Sequence, residues 1–297
     1  MHVLVTGGSG FIGQALVPRL LARGHRVRVS SRQAQPRLAA GAEACAPDRA
    51  LAGAPVEAII NLAGENLAAG RWSAARKQAF RSSRIGTTEA LAAQIAALPA
   101  EARPRVLVSG SAIGWYGSRG DAWLDEASSP GEDFSAQLCR DWEAAAQAIA
   151  PLGLRVCRVR TGIVLDRSGG ALARMLPPFR LGAGGPIGDG RQWMSWISRH
   201  DLVELLIWLL ETPGCEGVYN GVSPLPLTNR EFSQTLGRAL HRPALLPMPA
   251  FVLRLMFGEM AELLLGSQRV RPGRALAEGF QFRDGELSLC LPRLLGA

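Results

Sequence analysis

The chain has 297 residues, 47% of them hydrophobic, which is enough for one large α/β domain or two smaller ones with a substantial core. It contains no uninterrupted apolar run of about 18 residues, the length that a membrane span requires. The net charge of +8 is the excess of 33 basic residues over 25 acidic ones. The basic residues are all arginine except Lys77, and they are spread along the chain without a basic tail. The composition therefore argues against a membrane protein and against nucleic acid as a partner.

The N-terminus and the cysteines indicate the compartment. The chain begins directly in a strand pattern, without the basic and apolar regions of a signal peptide. The five cysteines are odd in number and never spaced as C-x-x-C, and the four histidines show no metal-ligand spacing. We therefore expect reduced thiols, no bound metal and a cytoplasmic location.

The first thirteen residues, MHVLVTGGSGFIG, contain the most informative motif. Val3, Leu4 and Val5 form a short aliphatic run, which is typical of a strand buried on both faces of a parallel sheet. A helical pattern begins at Phe11, and the glycines before it satisfy both G-x-G-x-x-G and G-x-x-G-x-x-G. Such glycines allow a tight turn, the approach of a pyrophosphate and close helix–strand packing, while the helix N-terminus offers N–H groups to the phosphates. The motif predicts a dinucleotide site.

The end of the second strand pattern, RVRVSS at 26–31, indicates which dinucleotide binds. NAD-binding folds usually place an acidic residue there for the ribose 2′-hydroxyl, but none occurs between Gly13 and Gly41. Arg32 follows the strand instead, and a guanidinium can bind a 2′-phosphate through charge-assisted, bidentate contacts. A solvated strand-end arginine is the alternative, but the missing acid favours NADP. The predicted cofactor-binding residues are Gly7, Gly8, Ser9, Gly10, Phe11, Ile12, Gly13, Ser31, Arg32, Asn61, Leu62, Ala63 and Gly64.

Strand and helix patterns alternate along about the first 165 residues. Residues 56–62, VEAIINL, form a strand pattern that leads into Ala63 and Gly64, and small residues at a strand end let a cofactor approach the backbone. The other patterns are strands at 106–109 and 154–160 and helices at 73–98, interrupted near Gly86, and at 134–150. This alternation predicts one doubly wound parallel sheet.

After residue 165 the pattern changes. The later segments are a loop at 182–190, a strand at 192–197, a helix at 200–210, a strand at 217–222, a helix ending at Leu240 and a Met- and Leu-rich helix within 243–266. The sequence therefore predicts an α/β chain with a doubly wound parallel sheet and a second, smaller C-terminal α/β domain. We assign residues 1–165 and about 191–212 to the first domain, and residues 166–190 and 213–297 to the second.

Several motifs together resemble a known family. TGGSGFIG, NLAG, SGSAIGWYG, RTGIVL and WISRHDL resemble an extended short-chain dehydrogenase/reductase, and the resemblance runs from Met1 to about Phe282. Longer stretches such as NLAGENLAAGRWSAARKQAFRSSRIGTTEAL and DFSAQLCRDWEAAA are similar to the NAD-dependent epimerase/dehydratase-like "epimerase family". The resemblance implies a Rossmann domain followed by a small C-terminal domain, and it does not supply a substrate.

The chain departs from this family at the catalytic dyad. Short-chain dehydrogenases use a Ser or Thr, a Tyr, and a Lys four residues after the Tyr, which lowers the pKa of the phenol. This chain has two tyrosines, Tyr116 and Tyr219, and no Y-x-x-x-K. Judged by Glu143 in the same helical pattern, the dyad positions fall at Ser135 and Cys139. Neither side chain can replace an activated phenol beside an ammonium group.

The remaining candidates follow from the same resemblance and from strand ends. Ser111 matches the substrate-orienting serine, and Tyr116 lies in the Y-G that lines the pocket, so these are the candidate catalytic residues. A role as pocket wall alone is the alternative for Tyr116. The candidate substrate-binding residues, which could grip a phosphate or carboxylate, are Arg160, Thr161, Gly162 and Arg191. A structural ion pair is the alternative for Arg160.

Two functions are consistent with these residues. The first is an NADP-dependent oxidoreductase or epimerase-like enzyme for a small anionic or sugar-nucleotide substrate, with Ser111 as hydrogen-bond donor and Tyr116 or water as proton carrier. The second is a catalytically weak or inactive NADP-binding regulator or scaffold. We expect a small-molecule substrate as partner and neither nucleic acid nor membrane, and a homodimer stays open.

Overall fold

The computed structural model describes residues 1–296 and contains a seven-stranded sheet with helices on both faces. The strands are β1 (His2–Thr6), β2 (Arg26–Ser30), β3 (Ala42–Cys45), β4 (Ala58–Asn61), β5 (Val106–Ala112), β6 (Trp123–Leu124), β7 (Arg155–Thr161), β8 (Ile163–Asp166), β9 (Trp193–Met194), β10 (Trp196–Ser198), β11 (Gly217–Gly221), β12 (Leu227–Thr228) and β13 (Arg269–Val270). The helices are α1 (Gly13–Ala22), α2 (Ala74–Arg81), α3 (Thr87–Ala96), α4 (Phe134–Gln147), α5 (Gly170–Arg180), α6 (Arg199–Glu211), α7 (Asn229–Ala239), α8 (Ala250–Phe257), α9 (Glu262–Leu265), α10 (Gly273–Ala277) and α11 (Leu287–Leu295).

The large sheet has the order β11-β7-β5-β4-β1-β2-β3, and every neighbouring pair in it is parallel. The chain runs from β1 outward through β2 and β3, and then returns to the other side of β1 with β4. The strand order therefore reverses between β1 and β4, which is the position where doubly wound sheets bind their ligands. The predicted doubly wound parallel sheet is confirmed.

The residues of β1 show why this strand lies at the centre. Val3 and Val5 contribute to the core beneath α1 and α6, and Leu4 contributes to the core beneath α3 and α4. Successive side chains of a strand point to opposite faces, so a central strand between two helix layers must be apolar at every position. All three of these side chains are completely buried.

A second core lies outside the large sheet. It is built around Trp196, which is completely buried, and draws on α5, α7 and α11; its members include Leu165, Leu172, Phe179, Phe232, Leu236, Leu287 and Leu291. Two small sheets accompany it, because β8 pairs in parallel with β10 and β9 pairs antiparallel with β12. The domain boundaries given above stay a prediction.

One segment differs from that assignment. Residues Gly217–Gly221 were predicted within the second domain, but they form β11 and pair with β7 at the edge of the large sheet. Because β5 pairs with the other side of β7, loss of β11 would make β7 an edge strand with unpaired backbone N–H and C=O groups on one side. A local pattern of residues does not show which sheet a short strand joins.

Three other predicted elements have different bounds. The interrupted helix at 73–98 is continuous, because a π-helical turn, Ser82–Gly86, joins α2 to α3. The strand at 192–197 is two strands, β9 and β10, separated by Ser195. The helix within 243–266 extends only over Ala250–Phe257 and is followed by a 3₁₀ turn, Gly258–Ala261. In the part of the chain that the structure describes, no helix is both long and apolar enough to span a bilayer.

The segment after α8 is attached to the first part of the chain by two basic side chains. The Lys77 Nζ atom on α2 lies 2.7 Å from a carboxylate oxygen of Glu259. The Arg71 guanidinium donates to the carbonyl oxygen of Leu255 over 2.7 Å. These contacts connect the loop before α2 and α2 itself to α8 and the turn that follows it.

Candidate functional site

The glycine loop between β1 and α1 is fixed by contacts that only glycine permits. Gly7 has a φ of +70°, and a Cβ atom on it would lie 2.6 Å from the carbonyl oxygen of Leu62. A Cβ atom on Gly13 would lie 2.5 Å from the carbonyl oxygen of Gly7, so a side chain at this position would separate helix from strand. The amide of Gly10 closes the turn by donating to Gly7 O over 3.0 Å.

The N-terminus of α1 is left open. The residue at the N-cap is Ile12, no side chain accepts from the first amides, and no acidic residue lies in the first turn. Within residues 1–296, the amides of Phe11, Ile12 and Gly13 have no hydrogen-bond acceptor, whereas those of Gln14 and Ala15 donate to the backbone carbonyls of Gly10 and Ile12. The three free amides and the positive end of the helix dipole form the arrangement that binds phosphate groups. The residues present fit the pyrophosphate of a dinucleotide.

Phe11 connects the glycine loop to the second part of the chain. Its ring occupies the space beside Gly169 and Gly170, where a Cβ atom on Gly169 would lie 2.7 Å from the ring. The Arg199 guanidinium covers the ring at 5.0 Å from its centroid. This predicted cofactor-binding residue therefore also packs against the segment that begins the second part.

A buried polar chain joins the ends of β1 and β4. Thr6 Oγ1 donates to Asn61 Oδ1 over 2.5 Å, and Asn61 Nδ2 donates to Thr88 Oγ1 over 2.9 Å. The amide of Ala63 donates to Thr6 Oγ1 over 3.2 Å. Asn61 is completely buried with its side chain in these bonds, so it positions the strand end and offers only backbone to a ligand.

Two cavities lie on either side of the end of β2. The larger, about 440 Å³, is lined by Thr6 and by Ser30 and Arg32 at the end of β2, and by residues of α2, the π-helical turn and α3. Arg32 is exposed and has no hydrogen-bond or ion-pair partner among residues 1–296. The smaller cavity, about 380 Å³, lies between Gly8 and Arg37. Sequence reasoning missed Arg37, although it stands in the same acid-free stretch as Arg32.

Ser111 at the end of β5 belongs to a buried network. Its hydroxyl donates to Glu143 Oε1 on α4 over 2.7 Å. The Arg160 guanidinium on β7 holds both oxygens of the same carboxylate, at 2.8 and 3.0 Å. Ser111, Glu143 and Arg160 are all at least 96% buried, so the ion pair is shielded from solvent.

Tyr116 forms the other end of this network. Its hydroxyl accepts from Arg160 over 3.1 Å and donates to Asn220 Oδ1 on β11 over 2.6 Å. Burial raises the pKa of Tyr116 to about 12, even though Arg160 and Asn220 lower it. Tyr116 is therefore a neutral phenol at physiological pH, and its proton is already donated within the protein.

Comparison with known proteins gives the family. The model of the NAD dependent epimerase/dehydratase family matches residues 3–220, and a domain of unknown function, DUF1731, matches residues 248–293. The chain belongs to the NAD dependent epimerase/dehydratase family. It is 43% identical to the bovine (Bos taurus) epimerase family protein SDR39U1 over 301 residues, covering 99% of this chain and 100% of the bovine protein. It is 42% identical to the chloroplastic SDR39U1 homolog of Arabidopsis thaliana, covering 95% and 83% of the two chains.

Solved structures agree with this membership. The crystal structure of human epimerase family protein SDR39U1 (isoform 2) with NADPH has a TM-score of 0.90 and 40% identity, covering 100% of this chain and 99% of the human one. UDP-glucose 4-epimerase of Thermotoga maritima, solved with UDP-glucose, has a TM-score of 0.80 at 18% identity, covering 100% and 99% of the two chains. The second likeness concerns the fold alone.

The two positions at which we expect the dyad from the sequence, Ser135 and Cys139, carry no activated group. Ser135 and Cys139 lie on α4 against Gly114, where a Cβ atom would be 3.2 Å from Ser135 Cβ and 3.7 Å from Cys139 Sγ. Burial, followed by the Glu143 carboxylate, raises the pKa of Cys139 to about 12. The thiol is therefore protonated at physiological pH and is a poor nucleophile.

The predicted substrate-binding residues are in different environments. Arg160 has its guanidinium in the ion pair with Glu143, which was the alternative to a substrate contact. Thr161 and Gly162 end β7, and a Cβ atom on Gly162 would lie 2.5 Å from Ser195 O, so packing explains this glycine. Arg191 has a side chain that is 88% exposed and 3.9 Å from Asp189. Sequence reasoning gave Glu143 no role, because its partner stands on a distant strand.

Proposed function

We propose that this protein binds NADP(H) and acts as an NADP-dependent oxidoreductase or epimerase-like enzyme on a small anionic or sugar-nucleotide substrate. The observation that carries the proposal is the open N-terminus of α1 behind the glycine loop, with the unpaired Arg32 beside the neighbouring cavity. The human relative solved with NADPH, which matches this chain end to end, supports the same cofactor.

The residues that would hold the cofactor divide by chemistry. The amides at the start of α1 and the glycines Gly7 to Gly13 suit the pyrophosphate, and Arg32 suits the 2′-phosphate. Ala63 and Gly64, which follow β4, have no side chain larger than a methyl group. When bound, the nicotinamide supplies the site with hydride transfer, which the protein's own side chains cannot perform.

Ser111 would orient a substrate as a hydrogen-bond acceptor. Its single proton is donated to Glu143, so toward a substrate the hydroxyl would act only as an acceptor. This differs from the donor role expected from the sequence, and it suits a substrate hydroxyl better than a carbonyl. Tyr116 is completely buried and would act only by holding Arg160 and Asn220, so water or the substrate itself would carry the proton.

The anionic substrate is supported by charge. The chain carries a net charge of +8, and Arg191 extends from the loop before β9 with a distant acidic neighbour as its contact. An exposed guanidinium of this kind can close on a phosphate or carboxylate without breaking a structural bond. Arg160 would have to leave Glu143 to do the same.

A calorimetric titration with NADPH and NADH, followed by stopped-flow oxidation of bound NADPH, tests this function. We expect NADPH to bind at least about tenfold more tightly than NADH, the effect of one charged contact. We also expect oxidation by at least one member of a panel of carbonyl compounds and nucleotide sugars. Equal affinity for the two dinucleotides would contradict the cofactor assignment.

A specific observation favours a second function, an NADP-binding regulator with little or no turnover. The chain has no Y-x-x-x-K, and Cys139, one of the two positions at which we expect the dyad, carries a protonated thiol. For this function we expect tight NADPH binding and no oxidation with any substrate of the panel. Turnover that depends on Ser111 would exclude it.

A further inference from the structure

The π-helical turn Ser82–Gly86 brings a basic residue, Arg84, to the end of β4. π turns are rare and occur often at functional sites, because the extra residue projects one side chain away from the regular helix. This turn is held at two points. Ser83 Oγ accepts from the amide of Glu65 over 3.0 Å, and Thr88 Oγ1 donates to the carbonyl oxygen of Arg84 over 2.7 Å.

The Arg84 guanidinium lies directly over Gly64. A Cβ atom on Gly64 would be 2.9 Å from Arg84 Cζ and 3.1 Å from its Nε and Nη2 atoms, so the guanidinium fills the space that a side chain would take. Nη2 donates to the carbonyl oxygen of Glu65 over 2.8 Å, and Cζ is 5.3 Å from the centre of the Trp142 ring. The group is thus anchored between the end of β4 and α4.

This guanidinium has no acidic partner. Within residues 1–296, no carboxylate oxygen lies within 4.0 Å of it. By contrast, Arg160 binds both oxygens of the Glu143 carboxylate through Nε and Nη2. Burial is the largest effect on Arg84 and lowers its pKa, yet arginine stays charged in proteins. Its direct contacts are carbonyls and an aromatic ring, and the Glu65 carboxylate acts on the charge only from beyond 4.0 Å, so a ligand can add compensation.

The Arg84 guanidinium also lies close to Cys139. Arg84 is near enough to Cys139 to lower the pKa of that thiol, although burial and Glu143 outweigh this effect. Cys139 is the position at which the family resemblance places the dyad lysine. A cation is therefore present beside this position, but it comes from the helix after β4 instead of from α4.

We propose that Arg84 supplies the fixed positive charge that the dyad lysine would provide, and that it binds the nicotinamide-ribose half of NADP(H). This inference depends on the proposed function, because it requires a dinucleotide on the glycine loop. Gly64 follows directly from the strand end that lines the dinucleotide crevice, and the guanidinium N–H groups without carbonyl partners can donate to ribose oxygens. Without a tyrosine to activate, the charge serves binding and not acid catalysis.

Two ligands separate this role from binding of the adenosine half. NADPH has both halves, whereas adenosine 2′,5′-bisphosphate has the 2′-phosphate and lacks the nicotinamide half. We expect Arg84→Gln to weaken NADPH binding about tenfold or more in calorimetry and to leave the bisphosphate unchanged. Arg84→Lys should recover part of the loss, because it restores the charge without the fork.

The matched control is Arg81→Gln on the preceding turn. Arg81 forms an exposed ion pair with Asp141 at 2.7 Å, and we expect its loss to change neither affinity. Gly64→Ala displaces the guanidinium without removing it, and should weaken NADPH but not the bisphosphate. This second variant keeps the test decisive if Arg84→Gln does not fold.

The outcomes distinguish this inference from the proposed function. If the unmodified protein binds neither ligand, the proposed function itself is wrong. If it binds both, and the Arg84 and Gly64 variants keep full NADPH affinity, only the role of Arg84 is wrong. Equal loss of both ligands in these variants would place Arg84 at the adenosine half or in the fold, and would also overturn the inference.

Discussion

The glycine loop at the end of β1 and the network around Ser111 at the end of β5 are separated by β4 in the same sheet, and they are built in opposite ways. The loop leaves its backbone amides open and has no acidic residue or side-chain cap. The network is closed on itself, because Ser111, Glu143, Arg160 and Tyr116 satisfy one another. The first region is ready to receive charge, and the second is stabilised before any ligand arrives. This chain thus combines a glycine loop that has free amides with a buried network whose polar groups are already paired.

The largest effect is expected from a substitution in the buried network around Ser111. Glu143→Ala leaves the Arg160 guanidinium buried without a carboxylate, and loss of one partner of a buried pair costs about 3–5 kcal/mol. We expect the free energy of unfolding, measured by urea denaturation, to fall by this order. Asp189→Ala, which removes the distant partner of the exposed Arg191, is the control and should change stability by less than about 1 kcal/mol. Similar stability of both variants would contradict the contrast between the regions.

The next largest effect is expected from a substitution in the glycine loop. Gly13→Val places a branched side chain where even a Cβ atom would be 2.5 Å from backbone atoms of Gly7 and Gly8. We expect NADPH binding to become undetectable in calorimetry, because the helix start moves away from the pyrophosphate. Circular dichroism must show a folded chain for this result to count. A folded variant with normal affinity would mean that the cofactor does not lie on this loop.

A smaller effect concerns the preference of the open region for NADPH over NADH. Arg32→Ala should weaken NADPH binding by about ten- to a hundredfold, since a hydrogen bond to a charged group contributes about 1.5–3 kcal/mol. NADH lacks the 2′-phosphate, so its affinity should hardly change. Arg37→Ala, at the neighbouring cavity, shows by the same titration whether a second arginine shares the phosphate. Equal losses of affinity for both dinucleotides in Arg32→Ala would contradict the assignment of Arg32 to the 2′-phosphate.

The smallest effect concerns Tyr116 in the closed region. Its pKa is raised from 10.0 to about 12, so its neutral form stabilises the fold fully below pH 10, and this contribution is lost as the pH rises toward 12. We expect stability to fall with pH over this window more steeply in the unmodified protein than in Tyr116→Phe. At neutral pH the variant should lose only about 1–2 kcal/mol through unpaired Arg160 and Asn220 groups. A reaction rate that titrates with Tyr116 between pH 6 and 9 would instead make it an acid catalyst.

The two regions also differ in what the sequence could predict. The glycine loop, its strand and its helix are contiguous, so residues within about twenty positions specify them. The network joins Ser111 on β5, Glu143 on α4 and Asn220 on β11, and a local pattern contains no information on such distant pairs. The same limit applies to β11, because its own residues do not show that it pairs with β7 at the edge of the large sheet. The role of Arg84 could not be predicted for another reason. The sequence indicates only an interruption of the helix near Gly86, where the structure has a π turn.

The contact between Lys77 and Glu259 has a chemical consequence. Because every other basic residue is arginine, amine-directed reagents have two targets in the chain, the N-terminus and Lys77. The ammonium group lies 4.8 Å from the Phe134 ring as well as beside Glu259, so it contacts the start of α4 and the turn after α8 at once. Acylation would remove its charge and leave Glu259 without this partner. A single acyl group could therefore loosen the attachment of the C-terminal segment while every arginine stays unmodified.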